Sequence, residues 1–446
     1  MIYTSTKRRY FAARFVTGID ANRSIKDELS EAVTKMRARR RISVTDIINP
    51  RQAFFKWTHP EIKVPLDKLQ KMMAGTGFHD LFGKAVSSEE YLEQFVELEG
   101  IVGKIDIYET IPVELKTSGS IPEDIQAKRP GYIDQLGCYA CMAKKDSGIL
   151  LIYRRSEWGR DPILRAFDVR YKNLDRIRKE MILRRDMLQD ALDRNDPSRI
   201  PRCEWMEIGC DYCAICGCEN ADPLPRIVAP DEVEIAENPE TTAYFVDLLG
   251  QRPAAPVPDG FGLNDLVFPR MAHFKRQSNG NGDEEDDSLL EEQLKEMQRQ
   301  GFDKVLKAAL RFGIPGTFKG IPVSLRDLTG IVGTFRDVPT LVRATGMWEM
   351  IERDQLPYKM SHYFDRLAFE CALSNNPKGR VVIYYKALQG DKFMVYDVTF
   401  RNLEEIRAEA DRRLTLLESG AVPADLPPCP SWMPKFCKFA PGCGCG

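Results

Sequence analysis

Two carboxylates and an ammonium are concentrated in one short stretch, Gly100-Ile101-Val102-Gly103-Lys104-Ile105-Asp106 followed by Pro112-Val113-Glu114-Leu115-Lys116-Thr117. The pattern predicts a strand ending in Asp106, a turn through Glu109-Thr110-Ile111, and a returning strand. Side chains alternate across a strand, so Glu114 and Lys116 point the same way and Asp106 can lie opposite them. Two carboxylates 4 Å apart repel by roughly 4 kcal/mol in an effective dielectric near 20. Mg²⁺ or Mn²⁺ removes that cost, because hard cations prefer oxygen ligands. A lysine beside the ion can orient a water and offset phosphate charge. Taken alone, the motif also fits a hairpin carrying a surface Glu/Lys pair.

Flanking residues narrow the choice. Gly75-Thr76-Gly77-Phe78-His79 precedes the hairpin and offers a nitrogen ligand, and Gln135 and Tyr139 follow it on one helical face. This ordered set of G-x-H, G-x-x-D, ExK and QxxxY resembles the RecB-like branch of the PD-(D/E)XK nucleases. The resemblance implies cleavage of DNA strands, with exonuclease action on single-stranded ends, in an α/β fold of the restriction-endonuclease type. It further implies His79, Asp106 and Glu114 as metal ligands, Lys116 as the group that positions water, and Gln135 and Tyr139 as contacts to DNA or supports of the site.

The elements that must position these residues occur twice. Ser43 to Lys56 returns as Leu263 to Lys275, Gly100-Ile101-Val102-Gly103 as Gly330-Ile331-Val332-Gly333, and Phe167 to Leu174 as Tyr396 to Leu403. Leu136 stands as far from Gly148 as Leu367 does from Gly379. Such ordered landmarks mark a tandem duplication. Each copy predicts a helix (Ile25 to Arg37 in the first), an Asp/Pro/Arg segment with another helix, the strand pair, a helix through Tyr139, two strands, and a long helix. That long helix starts at Asn173 or Asn402 as N-cap and runs to about Leu192 or Leu417. The expected architecture is two α/β modules, each a central mixed sheet flanked by helices and ending in a cysteine tail. The expected boundaries are 1–220 and 260–446, joined by a Pro- and Glu-rich linker at 221–259. The polar acidic run 277–288 is expected to be a disordered loop.

In the second copy the chemistry is replaced. Aligned by these landmarks, Asp303 stands opposite His79, Arg336 opposite Asp106, Leu341 opposite Glu114, Arg343 opposite Lys116, Arg366 opposite Gln135 and Glu370 opposite Tyr139. A cation does not bind where a ligand carboxylate has become a guanidinium, so this module reads as a pseudo-nuclease. Its arginines suit either phosphate contacts or a surface vacated by catalysis.

The chain has 446 residues and twelve cysteines, enough for two or three domains but too few cysteines for a disulfide scaffold. Nine cysteines fall in two tracts: Cys203, Cys210, Cys213, Cys216 and Cys218, then Cys429, Cys437, Cys443 and Cys445. Four positions match between them, Cys213 being the extra one, and four thiolates suit Zn²⁺ or a [4Fe–4S] cluster. C-x2-C-x2-C favours the cluster, as does resemblance to the iron–sulfur branch of these nucleases, which includes CRISPR-associated exonucleases and helicase-nucleases. That branch carries one cysteine before a Pro-Arg, where this chain has Asn49 before Pro50-Arg51. Zinc therefore stays open. Cys138, Cys141 and Cys371 read as buried helical core.

Net charge is −2, with 43% hydrophobic and 29% charged residues, so no global basic field advertises DNA. Local clusters such as Arg37, Arg39, Arg40 and Arg41 can supply one, or can simply end a solvated helix. No apolar run approaches the ~20 residues that span a bilayer, and no signal-peptide core follows the N-terminal residues. The expected setting is cytoplasmic, with DNA as partner and other CRISPR, repair or replication proteins as further partners. The competing expectation is a non-catalytic nucleic-acid-binding or assembly protein with structural metal sites.

Overall fold

The computed structural model describes residues 10–35, 41–156, 161–203, 210–250, 260–277, 287–388, 390–421, 423–430, 433, 437 and 439–443. Arg37, Arg39, Arg40, Cys445 and most of the acidic run 277–288 lie outside the described residues.

In chain order the main elements of the first half are β1 (Val16–Ala21), α1 (Arg23–Thr34), α2 (Val44–Ile48), α3 (Pro50–Thr58), α4 (Leu66–Val86), β2 (Leu92–Leu98), β3 (Ile101–Tyr108), β4 (Pro112–Ser118), α5 (Pro130–Met142), β5 (Ser147–Arg154), β6 (Ile163–Tyr171), α6 (Leu174–Arg194), β7 (Val233–Glu237) and α7 (Pro239–Gly250). The second half continues with α8 (Leu263–Val267), α9 (Pro269–Gln277), α10 (Asp287–Gly313), β8 (Phe318–Leu325), β9 (Leu328–Phe335), β10 (Val338–Thr345), α11 (Ser361–Leu373), β11 (Lys378–Tyr385), β12 (Phe393–Phe400) and α12 (Leu403–Glu418).

Local chemistry accounts for the boundaries. Ser43 and Asp46 form a capping box that starts α2, and Pro50 occupies the first turn of α3, where its missing N–H is harmless. Asn173 caps α6 through its side chain, which accepts from Arg176 N–H. Asn402 instead adopts a left-handed backbone at φ 54° and makes no such bond, a conformation Asn tolerates better than most residues.

Two six-stranded mixed sheets result, ordered β2-β3-β4-β5-β6-β7 and β1-β12-β11-β10-β9-β8. In each, one strand pair is parallel (β4 with β5, β10 with β11) and the others are antiparallel. Alternation along β5 buries Leu150 and Ile152 with the α5 and α6 side, while Leu151 and Tyr153 join Phe78 and Phe82 of α4. The first sheet is thus covered on both faces. Cys138, Cys141 and Cys371 are buried, as expected.

The chain divides into a first unit, Met36–Arg252 with Glu285–Val305, and a second unit, Met1–Lys35 with Pro253–Glu284 and Leu306–Gly446. This differs from the expected boundaries in two ways. Residues 221–259 are not merely a linker, because β7 pairs with β6 from Phe167 to Tyr171 and completes the first sheet. The N-terminal β1 pairs with β12 and completes the second. Each unit is closed by a strand and helix that, in the repeat order, open the other copy. The opening turns of α10 also belong to the first unit, crossing α4 where Gly77 meets Gly301. A Cβ on Gly77 would stand 2.2 Å from the Gly301 carbonyl. No helix among the described residues is long and apolar enough to cross a membrane.

Candidate active site and cysteine tail

Four elements of the first unit bring the six expected site residues together. His79 projects from α4, Asp106 from β3, Glu114 and Lys116 from β4, and Gln135 and Tyr139 from α5. β3 continues two residues past Asp106 to Tyr108, so Asp106 sits within the strand and not at its end. His79 Nδ1 lies 3.7 Å from Asp106 Oδ2, an ion-pair distance longer than a hydrogen bond. Leu115 N–H donates to the same Asp106 oxygen at 2.8 Å. Lys116 Nζ donates to Glu114 Oε1 at 2.5 Å and to Gln135 Oε1 at 2.7 Å, and Gln135 Nε2 donates to Tyr139 OH at 3.3 Å. The ammonium also lies 5.3 Å from the Tyr132 ring centroid, a cation–π contact that spacing arguments missed. Gly103 makes room for this arrangement, since a Cβ there would meet Tyr139 Cε1 at 2.7 Å.

Burial and mutual charge perturb all three ionisable groups at the centre of the site. Glu114 is 2% exposed, and burial, with the Asp106 charge adding, pushes its pKa to about 8 despite Lys116. Burial would raise Asp106 as well, but the neighbouring His79 imidazole, the Lys116 charge and the Leu115 N–H outweigh it and lower its pKa. Burial works against the charge on Lys116, but Glu114 and then Asp106 outweigh it. Two buried atoms here have no hydrogen-bond partner: Glu114 Oε2 and His79 Nε2. Such atoms carry a desolvation cost of about 1–3 kcal/mol each. A cleft of about 290 Å³ opens at His79 and Asp106, with Asp80, Lys84 and Glu93 also in its lining.

The second unit resolves the same positions differently. Leu341 pairs with Val381 as Glu114 does with Leu150, which fixes their equivalence. Leu341 is buried. Arg366 Nε pairs with Glu370 Oε1 at 2.6 Å and Nη1 with Asn264 Oδ1 at 2.8 Å, where the first unit has Gln135 and Tyr139. The expected partner of Asp106 needs correction. Counted from the hairpin turns, where Ile101 pairs with Leu98 and Leu328 with Leu325, Asp106 matches Gly333 and Gly103 matches Gly330. Arg336 lies in the next turn, shorter in the second copy, where it and Asp337 both have positive φ (52° and 63°). It pairs with Glu28 at 2.5 Å. Asp303, expected opposite His79, lies in the part of α10 that packs in the first unit.

The cysteine tail of the first unit gathers on α3. The Arg51 guanidinium, 6% exposed, donates to the carbonyls of Cys216, Pro197 and Ile200. In the second unit Arg270 donates likewise to Leu426 and Cys443. Gln52 N–H donates to Cys203 Sγ at 3.3 Å and Gln52 Nε2 reaches Cys210 Sγ at 3.9 Å, while Cys216 Sγ and Cys218 Sγ lie 2.7 Å apart. Cys203 therefore reaches the start of α3, beside Asn49, from the far end of the chain segment. Burial pushes its thiol to about 11 and that of Cys218 to about 12, with neighbouring cysteines adding to each. Cys213 alone of the five is exposed. Among the described residues no group of three or more His, Cys, Asp or Glu is arranged to hold a metal ion.

No protein-family model matches this chain, and no curated protein matches it. Among solved structures, a crystal structure of SSO0001 aligns at 19% identity over 44% of this chain and 94% of that one, with a TM-score of 0.30. That score is too low to carry an argument.

Proposed function

We propose that the chain is a metal-dependent DNA nuclease of the RecB-like PD-(D/E)XK type, acting through its first unit on single-stranded ends. The observation that carries this reading is the pairing of His79 with Asp106 and of Lys116 with Glu114 on neighbouring elements, with Glu114 Oε2 and His79 Nε2 buried and unpartnered. His79, Asp106 and Glu114 would hold Mg²⁺ or Mn²⁺, and those two orphaned atoms fit that role. The bound ion would supply an activated water and stabilise charge developing on the scissile phosphate.

The protein's own groups do the rest. Leu115 N–H fixes the Asp106 carboxylate. Lys116, held between Glu114 and Gln135, offers a fixed positive charge to a water or phosphate oxygen, and Tyr139 steadies Gln135. The second unit, with Leu341, Arg343 and the Arg366–Glu370 pair at the matching positions, is a pseudo-nuclease that serves structure and DNA contact.

In the tail, Cys203, Cys210, Cys216 and Cys218, with Cys213 as the exposed fifth, would supply the ligands of a [4Fe–4S] cluster or Zn²⁺. Cys429, Cys437, Cys443 and Cys445 repeat it, Cys445 lying outside the described residues. Visible absorbance of anaerobically purified protein with metal analysis separates iron–sulfur from zinc. The nuclease reading is tested by degradation of labelled single-stranded, double-stranded and flap DNA with Mn²⁺, comparing wild type with Asp106→Ala and Lys116→Ala. Loss of activity in both supports it. Activity surviving both refutes the site, and no activity in the wild type favours a non-catalytic DNA-binding protein.

A further inference from the structure

The two units are closed by matching strand-and-helix elements. In the second unit Ala12 N–H donates to Asp365 Oδ1 at 2.9 Å, Asn22 N–H to the Val395 carbonyl at 2.9 Å, and Asn22 Nδ2 to Asp397 Oδ2 at 2.8 Å. In the first unit Val228 N–H donates to Asp134 Oδ1 at 2.9 Å, Asn238 N–H to the Ala166 carbonyl at 2.9 Å, and Asn238 Nδ2 to Asp168 Oδ2 at 2.7 Å. The asparagine side chain caps the following helix in both. The acceptor features are thus built into each unit: an aspartate on the helix after β4 or β10, an open sheet edge at β6 or β12, and an aspartate within that edge strand.

The donors differ in covalent attachment. β7 and α7 follow directly on the chain that forms the first unit, whereas β1 and α1 reach the second unit from the opposite end of the sequence. Without them β12 would present a row of unpaired backbone groups. The donor also fills a pocket, with Phe11, Phe15, Ile25 and Leu29 all buried. Phe11 stacks on Phe369 at 5.6 Å and lies under the Arg413 guanidinium at 5.2 Å.

We propose that this edge and pocket of the second unit form a strand-acceptor site that takes residues 10–35 in trans, from a second copy of the chain, as well as in cis. Recognition resides in the donor's own contacts, as in other forms of strand addition, and exchange of an identical element is a low-cost route to a dimer. Discrimination is built in. Where the donor has Phe11, Lys26 and Glu28, the matching positions of the first unit's element hold Ile227, Thr242 and Tyr244. Only the former pair with Arg413, Asp391 and Arg336.

The test is a full chain with a protease site between residues 36 and 40, nicked after purification. The fragment carrying residues 10–35 stays bound through gel filtration, and a labelled 10–35 peptide exchanges into the nicked chain at one per chain. A peptide with Asn22→Ala and Phe11→Ala competes at least tenfold more weakly, as does a 226–250 peptide. Free release of the fragment without peptide exchange, or equal binding of the 226–250 peptide, overturns the proposal. If the nicked chain precipitates, two differently tagged intact copies are concentrated together instead. Co-capture that Asn22→Ala plus Phe11→Ala abolishes supports the exchange, and no co-capture overturns it.

Discussion

The first and second units share a sheet order, a buried tail-binding arginine and a borrowed edge element, yet they treat one set of buried positions in opposite ways. At the junction of β4 and α5 the first unit buries a carboxylate, Glu114, with one oxygen unpartnered and its pKa pushed to about 8. At the same junction the second unit buries Leu341 and pairs Arg366 with Glu370 Oε1 at 2.6 Å, leaving Glu370 Oε2 buried and without a partner. Leu341 in place of a carboxylate removes the cost of burying a charge at that position. The first solution is one that a bound ligand repairs.

The largest expected effect breaks that contrast directly. Asp106→Ala or Lys116→Ala lowers DNA cleavage by about 100-fold or more, while Arg343→Ala leaves the turnover of the first unit within a few-fold. Cleavage rates measured with circular dichroism as a folding check decide it. Next comes the reverse graft. Leu341→Glu buries a carboxylate with no neighbouring ligand set and costs the second unit about 3 kcal/mol or more, read from chemical unfolding. Removing one partner of the closed pair, by Arg366→Ala, costs about 3 kcal/mol for the same reason, whereas Gln135→Ala costs far less stability and shows mainly in cleavage rate.

Smaller effects sharpen the picture. Cys213→Ser keeps the full metal content of the first tail, while Cys203→Ser or Cys216→Ser loses it, measured by elemental analysis. The pH response of Glu114 has a definite sign. Its folded pKa lies above the unfolded value, so the metal-free chain loses stability as pH rises from about 4.5 to about 8. Glu114→Gln flattens that slope, and the apparent Mn²⁺ affinity of the wild type rises across the same window as the carboxyl deprotonates.

Much of this was legible in the sequence. Strand and helix periodicity points to Asp106, Glu114, Lys116, Gln135 and Tyr139; Lys116 and Gln135 join Glu114 to Tyr139, while Asp106 is held by Leu115 N–H and neighbours His79. His79 was reached through its G-x-H setting. What escaped notice has physical causes. β7 is a five-residue edge strand among prolines, and its alternation of Val233 and Ile235 with exposed neighbours spans too few residues to stand out. β1 was hidden because its partner β12 lies at the other end of the chain, and no local pattern records a pairing of Asp20 with Asp397. Matching both glycines of G-x-x-G sets Arg336 against Asp106, three residues from the register of the strand pairing, and only that pairing reveals the shortened turn.

In the proposed site one hard cation is held between Asp106 and Glu114, and the second unit holds none at the matching positions. Titration of the metal-free chain with Mn²⁺, followed by calorimetry or electron paramagnetic resonance, tests it most directly. The expected result is one such site per chain, lost in Asp106→Asn and in Glu114→Gln and unaffected by Arg343→Ala. Binding unchanged in both carboxylate variants, or an absence of Mn²⁺ binding by the wild type, would contradict it.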